Sequence, residues 1–570
     1  MRWVYPEPVT DAADRLGAEL SLHPLAARIL YRRGYRTPAE AHAFLHDRLA
    51  DLPDPFRMKG MNAAVERILR AIHERQKVTL WGDYDVDGVS STALLSMFLR
   101  EVGAEVDTYI PHRLEEGYGL NREAIERIAR DGTRVLVTLD CGITSHAEVA
   151  RARELGLDVV VVDHHAVPDT MPPANAVLNP LQPGCDYPTR HLCAGGVTFN
   201  LCMGLRKRLR DEGAFATGRK EPNLRAYLDL VALATVADVV PLTGANRIFV
   251  KVGLEELTAA RRPGVRALKE VAGLGPDAPV SSGQIGFRLG PRINAAGRMD
   301  DAAVGLRLLT CDSLEEARRL AKELDAANAE RQQVEQQILA EALEQAEARR
   351  HARGLVLHSE GWHPGVIGIV ASRVVERYHR PTVLVAFQNG VGRGSARSIE
   401  GFHLVEALRG CAEHLTRFGG HKAAAGLSLT QDRVLAFRDA FEAWANARLR
   451  DDDLVARCRI DAVVTPNDVN ERAIEALSRL GPFGHGNPEP VLAARRLAAR
   501  PRVLENKRGG AGHLKLYLEA APHVEAIGFG MAEKVALTEG PIDVAFQAGF
   551  DEFRGERRIS LKLKDLKIAE

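Results

Sequence analysis

The chain has 570 residues, which is too long for a single hydrophobic core and indicates roughly two to four domains. Apolar residues make up 45% and charged residues 27% of the sequence, as in an ordinary globular protein, and the 76 basic and 76 acidic residues cancel. The neutral total gives no support to a nucleic-acid partner, but it does not exclude a basic face beside an acidic site.

The cysteines and the apolar runs indicate the compartment. The seven cysteines form no CxxC pair and their number is odd, which argues against a disulfide framework or a zinc knuckle. The N-terminus has no apolar signal-peptide core, and no run approaches the ~20 apolar residues of a membrane span. We therefore expect a soluble cytoplasmic protein with no membrane association.

The first two predicted regions differ in their periodicity. Residues 1–70 have amphipathic helical spacing interrupted by prolines, which predicts a helical N-terminal extension. From residue 77 to about 240, β-runs alternate with helical stretches such as 91–102 and 122–130. This alternation is typical of a doubly wound α/β layer with a parallel sheet.

Three apolar β-runs in this layer end in acidic or histidine residues, and a fourth apolar run leads to a further aspartate. In an open parallel sheet, ligands bind in the crevice beyond the carboxyl ends of the strands, so these side chains are expected to meet there. Gathered carboxylates repel each other unless cations lie between them, which indicates a metal-dependent phosphoesterase. The runs and their polar ends are Val78–Trp81 with Asp83, Asp85 and Asp87, Val135–Leu139 with Asp140, Val159–Val162 with Asp163, His164 and His165, and Val231–Ala237 with Asp238.

The first acidic motif is open to two interpretations. Asp83, Asp85 and Asp87 alternate, so an extended backbone would turn all three carboxylates to one face. Residues 90–92 open the next helix, whose backbone amides would hold a phosphate. The alternative is an Asp-rich turn that merely caps this helix. The presence of the other acidic motifs favours the metal site.

The predicted ligands are mostly carboxylates with one imidazole, a set that suits Mn²⁺ or Mg²⁺ better than zinc. Two such ions about 4 Å apart would activate a water and stabilise the leaving oxygen of an in-line displacement. Asp140 is the candidate bridge between the ions, because it follows the central strand and reaches both sides. His165 is expected to hold the nucleophile or the transition state.

The C-terminal half contains one long helix and two further regions. Residues 313–352 have unbroken helical spacing, which predicts a connecting helix, with a coiled-coil dimer seam as the alternative. Residues 353–452 form a second α/β unit, and residues 453–570 contain short β-runs typical of a small barrel such as an OB-fold. The catalytic layer is then expected to span residues 71–312.

The acidic motifs, in this order, resemble the DHH phosphoesterase superfamily through the Asp-His-His triplet of residues 163–165. Within that superfamily, four further motifs resemble those of the bacterial 5′→3′ single-stranded-DNA exonucleases, and the resemblance extends from residue 20 to 568. These motifs are Tyr109–Gly119, Gly290–Arg298, Gly365–Arg373 and Gly419–Gly426, of which the last is the hallmark of the DHH-associated domain.

The resemblance implies a fold and an activity. The fold is α/β, with a DHH parallel-sheet domain and a DHH-associated α/β domain joined by the long helix and followed by a C-terminal OB-like β-barrel. The activity is 5′→3′ degradation of single-stranded DNA to 5′-mononucleotides in recombination and DNA repair, with two divalent cations, Mn²⁺ or Mg²⁺. The implied partners are single-stranded DNA, a helicase and a single-strand-binding protein, and we expect a monomer.

The resemblance also assigns roles to residues. It implies that two ions are bound by Asp83, Asp85, Asp140, His164 and Asp238, with Asp87 and His165 in or beside the coordination shell. It implies that the DNA backbone or the terminal phosphate is met by Arg113, Arg292, Ser372 and Arg373. His421 would lie near the scissile phosphate, so the catalytic candidates are Asp140, His165 and His421.

Glycine- and arginine-rich segments support a substrate that contains phosphate. Arginine forks match phosphate oxygens bidentately, and glycines let backbone amides approach a polyanion. Arg397 and Gly420 lie in such segments, and Arg292 and Arg298 lie in another. The alternatives are a turn with solvated arginines for Arg397, a structural histidine for His421, and surface salt bridges for Arg292 and Arg298.

Two other functions compete with this prediction. The first is a DHH enzyme that cleaves short oligonucleotides or cyclic dinucleotides, but such relatives lack the barrel predicted at residues 453–570. The second is a non-catalytic scaffold, but the acidic residues that scaffolds of this superfamily lose are present here. Aromatic residues of the barrel would stack on bases or pack its core, namely Tyr517, Phe529, Phe546 and Phe553.

Overall fold

The computed structural model describes residues 1–8, 11–112, 116–117, 119–216, 218–299, 302–506, 511–522, 524–553 and 556–569. Contacts divide the chain into two compact units, which we call the smaller and the larger unit. The smaller comprises Met1–Val4 and Ala326–Cys458, and the larger comprises Tyr5–Asp325 and Arg459–Glu570. Among the described helices, none is apolar over a length that would cross a membrane.

The N-terminal region contains a short strand followed by four helices, β1 (Arg2–Val4), α1 (Asp11–Glu19), α2 (Pro24–Arg32), α3 (Pro38–Leu45) and α4 (Met61–His73). Proline begins α2 and α3, where the first amides have no acceptor within the helix and none is lost. Thr37 and Glu40 form a capping box at the start of α3.

Five strands alternate with three helices in the next region, β2 (Val78–Gly82), α5 (Val86–Glu101), β3 (Val106–Tyr109), α6 (Arg122–Arg130), β4 (Val135–Leu139), α7 (His146–Glu154), β5 (Asp158–Val162) and β6 (Ala176–Leu178). All pairs are parallel, in the order β3-β2-β4-β5-β6. The side chains of β2 and β4 are buried throughout, as expected for a sheet covered on both faces. The carboxyl ends of β2, β4 and β5 are therefore neighbours, which confirms the predicted parallel-sheet layer.

Seven further helices complete this region, α8 (Ala194–Asp211), α9 (Leu228–Ala237), α10 (Ala245–Ala259), α11 (Pro263–Val271), α12 (Ser282–Gln284), α13 (Gly290–Met299) and α14 (Ala303–Thr310). The apolar run before Asp238 therefore belongs to a helix and does not extend the sheet. Most residues of α9 are buried, so its sequence shows neither a helical nor a strand period.

The predicted long helix is α15 (Leu314–Ala348), which has 35 residues. Its first turns bury Ala317, Leu320 and Leu324 in the core of the larger unit. The boundary between the two units falls within this helix, after Asp325.

After the C-terminal part of α15, the smaller unit contains a mixed sheet and further helices, β7 (Leu355–Ser359), α16 (Ile367–Tyr378), β8 (Thr382–Gln388), β9 (Val391–Arg397), α17 (Leu404–Gly410), β10 (Arg417–Gly420), β11 (Ala424–Thr430) and α18 (Val434–Arg448). The strand order is β10-β11-β9-β8-β7, with β7 and β8 parallel and the other pairs antiparallel. Its core includes Val383, Phe437 and Phe441.

The C-terminal region consists of short strands and one helix, β12 (Arg457–Arg459), β13 (Ala462–Val463), α19 (Glu471–Ser478), β14 (Leu492–Leu497), β15 (Ala499–Leu504), β16 (His513–Leu518), β17 (Glu525–Gly528), β18 (Ile542–Phe553) and β19 (Glu556–Ile568). Strands β13 to β19 form one mixed sheet of seven strands. Leu16, Ile29 and Phe44 of the N-terminal helices belong to the same core cluster as Leu492 and Phe546. The N-terminal helices and the C-terminal sheet therefore share one hydrophobic core.

Candidate metal centre and nucleic-acid contacts

The first acidic motif connects β2 to α5. Asp83 follows the strand and is buried, and Asp85 is the N-cap of α5. The Oδ1 atom of Asp85 accepts hydrogen bonds from the amides of Asp87, at 2.9 Å, and Gly88, at 3.1 Å. The expectation of an extended backbone through Asp87 is wrong, because α5 already begins at Val86. Asp85 thus caps the helix and also lies among the candidate metal ligands.

Asp140 lies at the end of β4, between the ends of β2 and β5. Its backbone amide donates to the carbonyl of Val162 at 2.9 Å, which ties the turn to the neighbouring strand. Its φ is +66°, in the left-handed region that aspartate and asparagine adopt more readily than other side-chain-bearing residues. The turn therefore holds a buried carboxylate in one orientation at the middle of the strand ends.

Asp163 shapes the Asp-His-His turn after β5. Its Oδ1 atom accepts hydrogen bonds from the amides of His164, at 2.7 Å, and His165, at 3.0 Å, and lies 2.8 Å from the ring Nδ1 of His165. Its Oδ2 atom accepts from the amide of Ile143 at 2.9 Å. Asp163 therefore fixes the backbone of the turn and orients the imidazole of His165.

The candidate ligands form three overlapping groups in which the ligand atoms lie within 4.8 Å of one another. Asp140 belongs to two of these groups and so joins the aspartates after β2 to the histidines after β5. The Nε2 atom of His164 lies 3.1 Å from Asp140 Oδ1, 3.6 Å from Asp238 Oδ2 and 3.7 Å from Asp87 Oδ2. The three groups are Asp83–Asp85–Asp140, Asp140–His164–His165 and Asp87–His164–Asp238.

Burial and mutual repulsion disfavour the charged carboxylates. Burial, followed by the charge of Asp85, raises the pKa of Asp87 to about 7, and burial with the charges of Asp87 and Asp85 raises the pKa of Asp238 to about 9. The pKa of Asp140 is also raised, first by burial and then by the surrounding aspartates. Burial lowers the pKa of His165, but the hydrogen bond and charge of Asp163 outweigh it and raise this pKa to about 9.

The donor set fits divalent cations. A carboxylate-rich group with one or two imidazoles suits Mn²⁺ or Mg²⁺, and a cation would relieve the repulsion that raises the aspartate pKa values. The Oδ2 atom of Asp238 is buried and accepts no hydrogen bond from the described residues, as expected for an oxygen that serves as a ligand. The geometry therefore supports the predicted metal centre.

Sequence reasoning missed the contacts that hold the first acidic motif in place. Asp87 accepts the amides of Ala194 and Gly195, both at 2.7 Å, and so fixes the first turn of α8 to the acidic centre. Asn294 of α13 accepts the amide of Val86 through its Oδ1 atom at 3.0 Å. These partners are separated by 107 and 208 residues, so no local signal identified them.

Gly297 supports the same motif through its lack of a side chain. A Cβ atom at this position would lie 2.5 Å from the carbonyl oxygen of Tyr84. The Gly290–Arg298 segment therefore packs directly against the backbone between Asp83 and Asp85. The closely spaced glycine and asparagine were the only available sequence signal of this role.

In the smaller unit, Arg397 lies partly buried at the end of β9. It donates to Ser395 Oγ at 3.1 Å and to the carbonyl of Ala396 at 2.9 Å, and burial lowers its pKa. A Cβ atom on Gly368 would lie 3.0 Å from this guanidinium, so the glycine permits the close approach of α16. Ser372 donates to the carbonyl of Gly368 at 3.3 Å. The solvated turn considered for Arg397 does not fit its place in a strand and its partial burial.

The other candidates of the smaller unit are more exposed. Arg373 pairs with Glu376 at 3.2 Å and lies 3.6 Å from Glu335. His421 is exposed between β10 and β11, and its amide donates to Ala424 at 2.8 Å. Gly420 has a φ of +138°, and a Cβ atom there would lie 2.5 Å from the Cα of Ala425, so this turn requires glycine.

In the larger unit, Arg292 is engaged by protein acceptors. It donates to Asp325 at 2.8 Å, to the carbonyl of Arg288 at 2.6 Å and to that of Val271 at 3.3 Å. Arg298 is half-buried on α13. Arg113 lies outside the described residues.

The aromatic residues of the C-terminal sheet divide into two classes. Phe546 is buried in the core, whereas Tyr517 is 41% and Phe529 is 60% exposed. The side chain of Phe553 lies outside the described residues. Tyr517 and Phe529 are therefore the surface aromatics available for stacking.

The chain is similar to known proteins over its whole length. Models of the DHH family N-terminal domain, the DHHA1 domain and the RecJ OB domain match residues 77–235, 351–447 and 460–565. The single-stranded-DNA-specific exonuclease RecJ of Escherichia coli K12 is 38% identical, with 98% of each chain covered. That of Bacillus subtilis 168 is 36% identical, with 100% of this chain and 71% of the relative covered.

Solved structures agree with these matches. The crystal structure of RecJ from Thermus thermophilus in complex with Mn²⁺ gives a TM-score of 0.84 at 33% identity, covering 100% of this chain and 80% of that one. The structure of the same protein with Mg²⁺ gives a TM-score of 0.79 at 31% identity, covering 100% and 79%.

Proposed function

The chain belongs to the RecJ family, and we propose that it is an exonuclease that degrades single-stranded DNA from the 5′ end to 5′-mononucleotides in recombination and DNA repair. The observation that carries this proposal is the position of Asp140, which joins two groups of candidate ligands at the ends of three neighbouring strands. Both Mn²⁺ and Mg²⁺ suit this donor set.

We assign the metal ligands from these groups. Asp83, Asp85 and Asp140 would hold one ion, and Asp140, His164 and Asp238 would hold the other, with Asp140 as the bridge. Asp87 lies 3.7 Å from His164 and also anchors α8, so we assign it to the edge of the coordination shell. Two ions held by these residues would supply an activated water and would stabilise the leaving oxygen of an in-line displacement.

The remaining residues bind and orient the substrate in this proposal. The water adds to the phosphorus between the first two nucleotides, and the 3′ oxygen of the terminal nucleotide leaves with a proton. His165, oriented by Asp163, would hydrogen-bond the reacting phosphate, and His421 would do the same from its exposed turn. The phosphate left on the shortened strand becomes its new 5′ end, ready for the next cycle.

Arginines would hold the phosphates of the strand. Arg397 is the strongest candidate, because a partly buried guanidinium without a carboxylate among its described partners suits a phosphate. Ser372, Arg373 and Gly420 would support it. Arg113, Arg292 and Arg298 are proposed for further contacts with the DNA backbone.

We propose that the C-terminal region binds the strand by stacking bases on the exposed rings of Tyr517 and Phe529. This binding would not depend on the DNA sequence, because any base can stack on an aromatic ring. We further propose a cytoplasmic monomer that acts with a helicase and a single-strand-binding protein. The seven free cysteines support a reducing compartment.

The decisive experiment is digestion of 5′-labelled and 3′-labelled single-stranded DNA with Mn²⁺, Mg²⁺ or EDTA. We expect immediate release of labelled mononucleotide from the 5′ end only, and complete loss of cleavage in EDTA. Cleavage of a dinucleotide without cleavage of the long strand would instead support an enzyme for short substrates. Binding without any cleavage would support a scaffold, and either result would overturn the proposal.

A further inference from the structure

A large cavity adjoins the acidic centre within the larger unit. Its volume is about 1190 Å³, and its lining includes Ala237 and Val239, the residues on either side of Asp238. Apolar side chains such as Phe287 and Phe483 line it together with Lys562. Phe287 is 81% exposed, which is unusual for a phenylalanine in a folded protein. Glu489 also lines the cavity. Its mostly apolar walls suit the bases of a DNA strand, and Lys562 is the cation available for a phosphate.

One wall of the cavity is a segment between α19 and β14, residues 480–488, which we call the wall loop. It contacts the chain just after Asp238, because the amide of Leu242 donates to the carbonyl of His485 at 2.8 Å. A Cβ atom on Gly484 would lie 2.8 Å from Leu242, and one on Gly486 would lie 2.8 Å from Pro241. The position of the wall loop therefore determines the space beside Asp238.

A buried asparagine and an N-terminal arginine hold the wall loop. Asn487 donates to the carbonyls of Leu480 and Pro482, both at 2.9 Å, which closes the loop on itself. Arg33, the residue after α2, donates to Asn487 Oδ1 and to the carbonyl of Pro488, both at 2.6 Å. The two terminal nitrogens of the guanidinium thus hydrogen-bond to the C-terminal end of the loop.

A second arginine holds the other end of the loop. Arg247 of α10 donates to the carbonyl of Leu480 at 3.0 Å and to that of Phe44 at 3.2 Å, and lies 3.1 Å from Asp47. Its guanidinium stacks on the ring of Phe44 at 3.7 Å, and the residue is 2% exposed. The turn after α3 therefore contributes to the same junction.

We infer that the N-terminal helical segment is part of the strand-binding machinery, because Arg33 and the Phe44–Asp47 turn position the wall loop beside the acidic centre. Neither is a catalytic residue, because both act through the loop. This inference rests on the proposed function, which supplies the strand that occupies the cavity. It explains why α2 and α3 carry buried polar contacts in addition to their apolar packing.

The test compares Arg33→Ala with Arg28→Ala. Arg28 lies on the same helix but is exposed and pairs with Asp14, at 2.9 Å. In Arg33→Ala we expect the KM for a long single strand to rise about tenfold, while kcat for a dinucleotide stays unchanged. Arg28→Ala should match the wild type in both measurements. Arg33→Lys keeps the charge but cannot make both hydrogen bonds of the planar guanidinium, so we expect the KM for the long single strand to rise about threefold.

Hydrogen exchange provides a readout that does not depend on activity. In Arg33→Ala, the amides of Leu242 and of the wall loop should exchange at least about tenfold faster, while those of β4 keep their protection. Unchanged exchange and unchanged KM in a folded Arg33→Ala protein would overturn the inference. Equal loss of protection in β4 would also overturn it, because the role would then be general stability.

These outcomes are distinguishable from failure of the proposed function. If the wild type cleaves no single strand but Arg33→Ala still loosens the wall loop, the exonuclease assignment fails and the positioning of the loop stands. If the wild type cleaves and the loop is unaffected, the inference alone fails.

Discussion

The acidic centre of the larger unit and the arginine site of the smaller unit hold charged groups of opposite sign, the first buried and the second partly buried. Burial, followed by the charges of the neighbouring aspartates, raises the pKa of Asp140. Arg397 is partly buried beside Ser395, and burial lowers its pKa. Asp229 and Arg262 differ from Asp140 and Arg397, because they form an ion pair with each other at 2.8 Å. At the acidic centre and at the arginine site we expect a ligand of the opposite charge, because a charged group that is removed from water is stabilised by an opposite charge.

The largest expected effect comes from removing the charge that joins the metal groups. Asp140→Asn keeps the shape of the side chain but loses a negative ligand, so cleavage of single-stranded DNA should fall at least about a thousandfold. Single-turnover assays measure this loss, and fluorescence anisotropy should show that binding of the strand is largely retained. Activity close to that of the wild type would contradict the role of Asp140 as a bridge.

The second prediction concerns the opposite charge. Arg397→Met should lower kcat/KM by about thirtyfold, or about 2 kcal/mol, because the substrate phosphate loses charged hydrogen bonds. The free energy of unfolding without DNA should not fall, because a partly buried arginine with no carboxylate among its described partners is replaced by an apolar side chain of similar length. Urea denaturation measures the second quantity.

The matched control for Arg397→Met is a paired arginine of the same unit. Arg349 lies 2.5 Å from Glu442, so Arg349→Met should lower the free energy of unfolding by about 1 kcal/mol and leave kcat/KM unchanged. If the free energy of unfolding falls equally in both variants, the distinction between an arginine paired with a carboxylate and one without such a described partner is incorrect.

The smallest expected effect sharpens the description of the acidic centre. Asn294→Ala removes the acceptor of the Val86 amide, so the affinity for Mn²⁺, measured by calorimetry, should fall about tenfold. Asn62 is exposed on α4, and Asn62→Ala serves as the control with unchanged affinity. Equal affinities in the two variants would show that α13 does not position the first acidic motif.

The sequence predicted the parts of the site that depend on local pattern. Buried strands before Asp83, Asp140 and Asp163 were recognisable because an apolar run followed by polar residues marks a strand end. The helix 314–348 was recognisable from its unbroken spacing. The position of Asp238 at the end of a helix could not be recognised in the sequence, because a run of consecutive apolar residues is compatible with either a helix or a strand.

Contacts between distant segments were beyond sequence reasoning. Asn294 and Val86 are 208 residues apart, and Arg33 and Asn487 are 454 residues apart. Such pairs form only when the whole chain folds, and neither partner has an unusual residue type. The protein partners of Asp87 and Arg292 could not be predicted either. The sequence does not show whether a charged side chain binds a ligand or another part of the protein.

The left-handed backbone of Asp140 also bears on how this protein can change in evolution. At a φ of +66° asparagine fits as readily as aspartate, and the two residues are related by a single-base change in the codon. A variant that no longer cleaves DNA can therefore keep its fold and its ability to bind DNA. Descent from a nuclease to an inert DNA-binding protein would then require no intermediate that fails to fold.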